Sequence, residues 1–497
     1  MVLASGYGQR QLHQWSRQAV QHQKITGTTR SLQNVPTNTH ISARGTAATL
    51  KDNPKIPNPS LFEFESKMPE NDNTGLPTVG ECAAHLELLQ AFYHIYVRVS
   101  SSTALDDVLG IKPEPRIVYR KKYLGYRRGY SRKSVNLKDV TFKERRKTKW
   151  PFYLALAATR FLAWAEAVEN VMDGSVASQA TLLHLPPLDV LMVWHALLLN
   201  PSWFRSFEGR QLKRLYDTPF PWKAIHKAID ADKRHSPYNL PAKSVVWFAA
   251  NTGLAPDLFE ALVEADKSIR VRQLLKMHGS PSRFNNTHRG MPVEDIDVML
   301  QGPHNLNELE INFLECCRTA IGTNTTINKL VEAVQRQASF VNKMEKQLWI
   351  RSPAVEGTLH RAIDRYSKFL KLFKLYPKMM LVPTLDIDLV WHTHQCSPSR
   401  YDVGMLKMAG RLINHDDKIG EVILNPGFAR TKNLFRIRFA QEYQVCHCWD
   451  CEALLSAVSS HNSETRPDNE AIARHVLDEV AYYRAVELAK RKGNTAI

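Results

Sequence analysis

The chain has 497 residues, of which 43% are hydrophobic and 23% are charged, an ordinary composition for a folded globular protein. Its 66 Lys and Arg residues outnumber its 49 Asp and Glu residues, which gives a formal net charge of +17. These values exclude a wholly disordered, collagenous or membrane-embedded chain, and without a run of 18 apolar residues no membrane partner is predicted.

The length predicts two to four domains, since a domain commonly has roughly 100–200 residues. Seven cysteines in a chain of this length do not indicate a disulfide framework. Free thiols in a reducing compartment fit better. We therefore predict a cytoplasmic protein, with the nucleus or the mitochondrion as the alternative location.

Residues 1–75 are predicted to form a disordered polar tail and linker. The first 51 residues contain six Lys and Arg and no Asp or Glu, and they are rich in Gln, Thr and Ser. Scattered basic residues without acids also resemble a mitochondrial presequence. The stretch DNPKIPNPS at 52–60 has the composition of a linker.

Residues 76–255 are predicted to form a first helical lobe. Thr78 and Glu81 have the spacing of a capping box, and apolar residues follow them at helical intervals. A second strong helix is predicted from Pro151, because proline is favoured in the first turn of a helix. A basic, tyrosine-rich insert at 114–149 interrupts this lobe.

The most basic part of the chain is 116–149, with fourteen Lys and Arg against two acidic residues. Basic side chains neutralise phosphates and aromatic faces stack on unpaired bases, so their alternation predicts binding of RNA or single-stranded DNA. An acidic protein partner, or a solvated basic loop, would account for the same composition. The candidate binding residues are Arg120, Lys121, Lys122, Tyr123, Tyr126, Arg127, Arg128, Tyr130, Arg132 and Lys133.

The rest of the chain is also predicted to be helical. Turn-forming residues indicate that 256–305 connects two halves, 306–460 reads as a second helical lobe, and 461–497 contains a last amphipathic helix. The predicted fold class is therefore mainly α, with two related helical lobes that follow a disordered N-terminal tail.

An internal repeat is the most specific pattern in the sequence. PPLDVLMVWHALLLNPSWF at 186–204 aligns with PTLDIDLVWHTHQCSPSRY at 383–401, with eight identities in nineteen positions. Unrelated sequences would give about one identity, so we predict an internal duplication whose two copies fold alike. The shared motif residues are Asp189, Trp194 and His195 in the first copy and Asp386, Trp391 and His392 in the second.

Each copy of the repeat predicts a short helix. An Asp at the start of a helix can accept backbone N–H bonds and suits the helix dipole, while the Trp faces the core. Pro201 and Pro398 are predicted to end these helices. For the two motif histidines we favour hydrogen-bonded core positions over catalytic ones, because a packing solution is duplicated unchanged more readily than a catalytic site.

The second copy is the more polar one. Asp388 replaces Leu191 and His394 replaces Leu197. Asp388 and His392 are four residues apart, so they lie on one helical face and can pair. The polar face of the second copy comprises Asp388, His392, His415 and Asp416. A metal-dependent enzyme that uses Asp388, His392 and Asp416 is one alternative.

Cys446, Cys448 and Cys451 form a compact C-x-C-x-x-C cluster. Three thiolates and one histidine would make a tetrahedral zinc site, and His394 or His392 is the candidate fourth ligand. Zinc is thus the candidate cofactor. Partly buried free thiols, or a redox or disulfide role, are the alternatives.

No motif in the sequence identifies a reaction. A Gly-rich phosphate loop, a dinucleotide fingerprint, G-x-S-x-G and H-E-x-x-H are all missing from it. We therefore favour a non-catalytic interaction or regulatory protein over an enzyme, without assigning catalytic residues.

The sequence resembles the glycine-rich domain-containing protein-like family, more narrowly its fungal members, over approximately 77–455. PTLDIDLVWHTHQCSPSRY carries the resemblance, together with HDDK at 415–418, CWDCEA at 448–453 and LPPLDVLMVWHALLLNP in the first half. The family is largely uncharacterised, so the resemblance implies no catalytic residues. Plant members add an RNA-binding motif and a glycine-rich tail and are linked to growth, hormone and stress responses. With 22 glycines, this chain departs from them, so the resemblance does not carry the plant RNA-binding role over to it.

Overall fold

The fold is built mainly from α-helices, as predicted, with one antiparallel pair of strands. A computed structural model describes residues 57–62, 64, 75–114, 116–123, 126, 130–171, 184–207, 212–230, 237–279, 292–302, 306–414, 421–460 and 469–492. Most of the predicted N-terminal tail therefore lies outside the described residues.

The first half of the chain contains two long helices, several short ones and the two strands. Its elements are α1 (Val79–Ser101), α2 (Thr103–Val108), β1 (Arg116–Tyr123), β2 (Tyr130–Leu137), α3 (Phe142–Lys147), α4 (Lys149–Val171), α5 (Leu188–Leu198), α6 (Pro201–Arg205), α7 (Lys213–Asp217), α8 (Trp222–Ala228) and α9 (Ala242–Thr252).

The regular elements described in the second half are all helices. Its elements are α10 (Leu258–Ala265), α11 (Ile269–His278), α12 (Val293–Gln301), α13 (Glu308–Ile321), α14 (Thr325–Gln347), α15 (Val355–Leu375), α16 (Leu385–Gln395), α17 (Pro398–Ala409), α18 (Glu421–Phe439), α19 (Trp449–Ser460) and α20 (Asn469–Lys492).

Local sequence signals explain several of the helix ends. At the start of α1, the Thr78 side chain accepts a hydrogen bond from the Glu81 backbone N–H, and the Glu81 carboxylate accepts one from the Thr78 N–H, so the predicted capping box is confirmed. Asn307 and Glu310 form a second capping box at the start of α13. The repeat helices end at Leu198 and Gln395, shortly before Pro201 and Pro398, as predicted. These prolines occupy the first turn of the next helices, where the missing N–H of proline costs nothing.

One continuous hydrophobic core extends from Leu61 to Tyr443 and joins the two predicted lobes. Helices α1, α4 and α5 of the first half share it with α14, α15 and α16 of the second half. A smaller cluster packs Val476, Val480 and Tyr483 of α20 against α19. Buried residues of the two halves therefore share one core.

The chain differs from the sequence-based expectation in three places. Within the predicted linker, 59–62 forms a 3₁₀ turn, Leu61 is buried, and Phe62 stacks on His226. The predicted connection at 256–305 contains α10, α11 and α12. The basic insert forms the strand pair β1–β2 rather than a loop.

None of the described helices is both long enough and apolar enough to cross a membrane.

Candidate functional site

The strands β1 and β2 pair along their whole length, with Tyr123 opposite Tyr130 and Arg120 opposite Lys133. Residues directly opposite each other in an antiparallel pair point to the same face, and neighbours along a strand point to opposite faces. The register therefore sorts the basic and aromatic side chains of this β ribbon (116–137) into two faces of different chemistry.

The aromatic face of the ribbon carries three tyrosines with two cations between them. The cross-strand pair Tyr123 and Tyr130 lies at one end, with ring centroids 5.2 Å apart, and Tyr119 lies further along β1. Lys121 and Arg132 face each other between these rings. The opposite, basic face carries Arg120, Lys122 and Lys133 and no tyrosine.

Both faces of the ribbon are open to solvent. Tyr119, Tyr123 and Tyr130 are 68%, 55% and 69% exposed, far more than tyrosines that serve as packing residues. Tyr126, at the tip, is 99% exposed. Two other predicted binding residues, Arg127 and Arg128, lie outside the described part of the chain.

A buried ion pair holds the base of the ribbon. The Asp139 carboxylate accepts hydrogen bonds from the Glu114 backbone N–H before β1 and from the Thr141 N–H after β2, at 2.9 Å each. The Arg145 guanidinium donates to Asp139 and to the Lys112 carbonyl. These bonds hold the pKa of Asp139 well below its usual range. The ribbon thus projects from a fixed anchor.

The two repeat helices, α5 and α16, are held by matching buried ion pairs. The Arg160 Nε lies 2.6 Å from an Asp189 carboxylate oxygen, and the Arg365 Nε lies 2.7 Å from an Asp386 oxygen. Both Asp residues lie in the first turn of their helices, as predicted. The sequence did not predict their partners: each Asp neutralises a buried arginine.

Each of these arginines also binds two successive backbone carbonyls. Arg160 donates to Ala255 and Pro256, and lies over the Phe248 ring. In the second half, Arg365 donates to Glu442 and Tyr443 and lies over the Phe435 ring. The two copies thus make corresponding contacts, as a duplicated unit would. The duplication itself remains a prediction.

The motif histidine of the first copy, His195, belongs to a buried chain of hydrogen bonds. His195 Nε2 lies 2.9 Å from His85 Nε2, and His85 Nδ1 lies 2.8 Å from the Thr393 hydroxyl. The Thr393 hydroxyl in turn donates to the Leu389 carbonyl. Burial lowers the pKa of His195 to about 3 and that of His85 well below its usual value, so both rings are neutral at pH 7.

The motif histidine of the second copy has a different neighbour. His392 Nε2 lies 3.5 Å from an Asp388 oxygen, the pairing that their spacing predicts. His415 and Asp416, the rest of the predicted polar face, lie outside the described residues.

Asp386 has a second cationic neighbour, His447. The His447 Nε2 lies 3.2 Å from Asp386, and its Nδ1 lies 3.2 Å from Glu452. Burial alone would lower the pKa of His447, but the two carboxylates outweigh it and raise the pKa to about 9. For Asp386, His447 and Arg365 likewise outweigh burial and hold its pKa well below the usual range.

The sulfur atoms of Cys446, Cys448 and Cys451 lie within 4.8 Å of one another. Cys451 lies in the first turn of α19, where the helix dipole favours thiolates. The hydrogen bond with Cys446 is the main cause that raises the pKa of Cys448, and the hydrogen bonds with Cys446 and Cys448 raise the pKa of Cys451. The sequence-based grouping of the three cysteines agrees with this geometry.

The predicted fourth ligand, His394, is placed elsewhere. Its Nδ1 lies 3.0 Å from the Tyr366 hydroxyl, and its ring packs edge-on against Tyr401. Neither His394 nor His392 belongs to the group of potential metal ligands around the three cysteines within the described residues. The reason is that α16 presents these histidines to the core, whereas the cysteines precede and open α19.

Comparison with known proteins now identifies the chain's relatives. Residues 300–403 match the model of the family described as glycine-rich domain-containing protein-like. This part of the chain is therefore similar to that family, and the predicted resemblance is confirmed. The narrower resemblance to the fungal members remains a prediction.

Two Arabidopsis thaliana proteins are similar to this chain. Glycine-rich domain-containing protein 1 is 34% identical over 288 residues, which cover 56% of this chain and 28% of the relative. Glycine-rich domain-containing protein 2 is 32% identical over 142 residues, 27% of this chain and 16% of the relative. The chain thus spans less than a third of either relative. No solved structure matches it.

The matched region of the glycine-rich domain-containing protein-like family contains α16 with its motif residues, but neither the ribbon nor the cysteine cluster. Three residues next to the motifs, His85, His447 and Glu452, were not predicted as site residues. Two of them had a visible signal: His85 is a polar residue among the apolar positions of α1, and His447 lies between Cys446 and Cys448. The partners of His447 and Glu452 depend on where α19 packs.

Proposed function

We propose that the chain binds single-stranded nucleic acid, with RNA as the favoured ligand, through the aromatic face of the ribbon. The observation that carries this proposal is the strand register, because it gathers Tyr119, Tyr123 and Tyr130 on one face with Lys121 and Arg132. Sequence spacing alone does not separate these five residues from the other tyrosine and basic residues of the segment.

The arrangement along the aromatic face suits a flexible polyanion with flat bases. Tyr119 lies about 13 Å from Tyr123 along β1, at roughly 3.3 Å per residue. A base stacked at each end would leave the intervening backbone next to Lys121 and Arg132. An unpaired strand can splay its bases to meet these rings, whereas a duplex keeps them stacked inside.

An acidic protein is the less suitable partner for this face. Carboxylates would pair with the cations of either face, and their binding would not depend on the exposed tyrosine rings. Since the basic face carries cations without tyrosine, the two kinds of partner predict different responses to substitutions on the two faces.

The test measures binding of a labelled oligouridine to the full chain by fluorescence anisotropy. A Tyr119→Ala/Tyr130→Ala variant is expected to weaken binding by roughly 5-fold or more, because stacking of one base contributes about 1–3 kcal/mol. The exposure of both side chains keeps the effect on folding small.

Two charge variants form a matched pair. Lys121→Gln/Arg132→Gln alters the aromatic face and Arg120→Gln/Lys133→Gln alters the basic face, and each removes two positive charges from directly opposed residues. We expect the first to weaken binding and flatten its salt dependence more than the second. Equal losses from both, with no loss from the tyrosine variant, would show simple charge attraction and contradict the proposal.

A second candidate function is metal binding at Cys446, Cys448 and Cys451, and the closeness of the three sulfur atoms favours it. Three thiolates suit zinc, whose fourth ligand would be a water or a group from a bound molecule, since His394 is held by Tyr366. Such a site would have an open position.

Elemental analysis tests this second function. The full chain, purified under reducing conditions without added metal, is expected to contain one equivalent of zinc, and Cys448→Ser is expected to lose it. Cys316→Ala, which removes a buried thiol elsewhere, should keep the metal. Metal-free protein, or equal metal in Cys448→Ser, would exclude the site.

A further inference from the structure

A cavity of about 240 Å³ opens between α1, α4, α5 and α14. Tyr96, Trp150 and Ala338 lie among its lining residues, and Tyr96 and Ala338 are exposed there. Deeper residues of the lining, such as Phe92 and Met192, are buried. The cavity therefore leads from an aromatic rim to a buried apolar end.

His195 and Gln337 supply polar groups to the buried part of this lining. Among the described lining residues there is no Asp, Glu, Lys or Arg. Without such a partner a charged ligand would lose its hydration and gain no ion pair, so the site favours a neutral molecule.

The hydrogen bonds around His195 fix which of its nitrogens carries the proton. The Thr393 hydroxyl donates to the Leu389 carbonyl, which can only accept, so Thr393 accepts from His85 Nδ1–H. The neutral His85 then has a bare Nε2, which accepts from His195 Nε2–H. His195 Nδ1 is left as a hydrogen-bond acceptor, and a complementary ligand would bring an O–H or N–H donor.

The cavity volume limits the size of the ligand. An apolar cavity of about 150 Å³ holds benzene, and sites for drug-sized molecules begin near roughly 300 Å³. At about 240 Å³ this cavity falls between the two. One or two fused rings with a small polar substituent would fill it.

We propose that this cavity binds a small, uncharged aromatic molecule whose hydroxyl or N–H group donates a hydrogen bond to His195. The aromatic rim formed by Tyr96 and Trp150, whose ring centroids are 5.2 Å apart, supplies edge and face contacts to the ligand ring. This site is independent of the ribbon and of the nucleic acid proposed to bind there.

Naphthol is the probe, because its ring size fits the cavity and its fluorescence reports the surroundings of the hydroxyl group. We expect saturable binding to the full chain, and binding of its methyl ether that is weaker by about 3- to 10-fold, since the ether lacks the donor. An ether that binds as tightly as naphthol would overturn the role of His195 as acceptor.

Substitution at the rim locates the site. Ala338→Trp places a large ring at an exposed lining position and should abolish naphthol binding, whereas Ser339→Trp, at the next exposed residue of α14 and not in the lining, should leave it unchanged. Equal binding by the two variants, or no saturable binding to the unaltered chain, would overturn the proposal. Lys121→Gln/Arg132→Gln should bind naphthol normally, which separates this result from the test of nucleic-acid binding.

Discussion

The repeat helices α5 and α16 hold the same buried Arg–Asp pair but surround it differently. Asp189 pairs with Arg160, and burial raises its pKa despite that arginine. Asp386 faces both Arg365 and His447, and its pKa is lowered. The His447 imidazole is the largest of the causes that lower the pKa of Asp386, whereas the nearby Asp257 carboxylate adds to burial in raising the pKa of Asp189.

The histidines of the two halves also differ in charge. His195 and His85 form a neutral buried pair, while His447 is held as a cation between Asp386 and Glu452. The comparison shows that a shared backbone motif can carry either a neutral or a charged polar network. The surrounding helices, rather than the motif, decide which one forms.

The largest expected effect comes from removing either motif aspartate. Asp189→Ala and Asp386→Ala should each lower the free energy of unfolding by about 3–5 kcal/mol, because each leaves a buried arginine unpaired. At pH 7 the Asp386 variant should lose more, since His447 is also affected. Urea unfolding measures both. Glu144→Ala, which removes an exposed ion pair, is the control. A larger loss of unfolding free energy for Asp189→Ala than for Asp386→Ala would contradict the expected order.

The two motif tryptophans offer a smaller contrast. Trp391 Nε1 donates to the Tyr401 hydroxyl at 2.9 Å, while the buried Trp194 Nε1 has no hydrogen-bond partner among the described residues. Trp391→Phe should therefore destabilise the protein by about 1–2 kcal/mol more than Trp194→Phe, because only the first substitution removes a hydrogen bond. Equal losses in thermal or urea unfolding would show that packing alone decides the cost.

Alkaline pH tests the cationic network of the second half. The pKa of His447 is raised from an ordinary 6.5 to about 9, so its contribution is fully present below pH 6.5 and is lost as pH rises through 9. The unfolding free energy should fall over this range by at most about 1.4 kcal/mol per pH unit from this histidine. His447→Gln should make the unfolding free energy fall less steeply with rising pH. An unchanged slope would argue against the pairing of a cationic His447 with Asp386 and Glu452.

Acidic pH tests the neutral network of the first half and gives the smallest effect. The pKa of His195 is lowered to about 3, so between pH 6.5 and 5 only the unfolded chain takes up this proton and stability falls on acidification. His195→Gln should reduce this slope by less than about 1.4 kcal/mol per pH unit. His447→Gln is the matched control and should leave the acidic slope unchanged.

Helix positions were largely predictable because their signals are local. The capping box at Thr78 and the apolar periodicity of α20 depend only on residues within one helix. The partners of the motif aspartates were not predictable, since Arg160 and Arg365 lie on other helices. A repeat in the sequence indicates equivalent positions without naming their contacts.

The ribbon was missed for a physical reason. A strand is recognised by alternating apolar and polar residues, which reflect one buried face. Both faces of β1–β2 are open to solvent, so Tyr, Lys and Arg occur at alternating positions without an apolar pattern. The basic and aromatic composition of the site could be read from the sequence, but its division into two faces required the register.

The ribbon has a consequence for how several molecules would share one nucleic-acid strand. Each of its two strands has an outer edge that no other described strand covers, and such edges tend to join with one another. Eight Lys and Arg without a single acid at 116–137 oppose this by mutual repulsion. A bound polyanion would neutralise these charges, so two ribbons would associate only where they bind neighbouring sites on the same nucleic-acid molecule. Binding of several protein molecules to a long nucleic acid would then be cooperative.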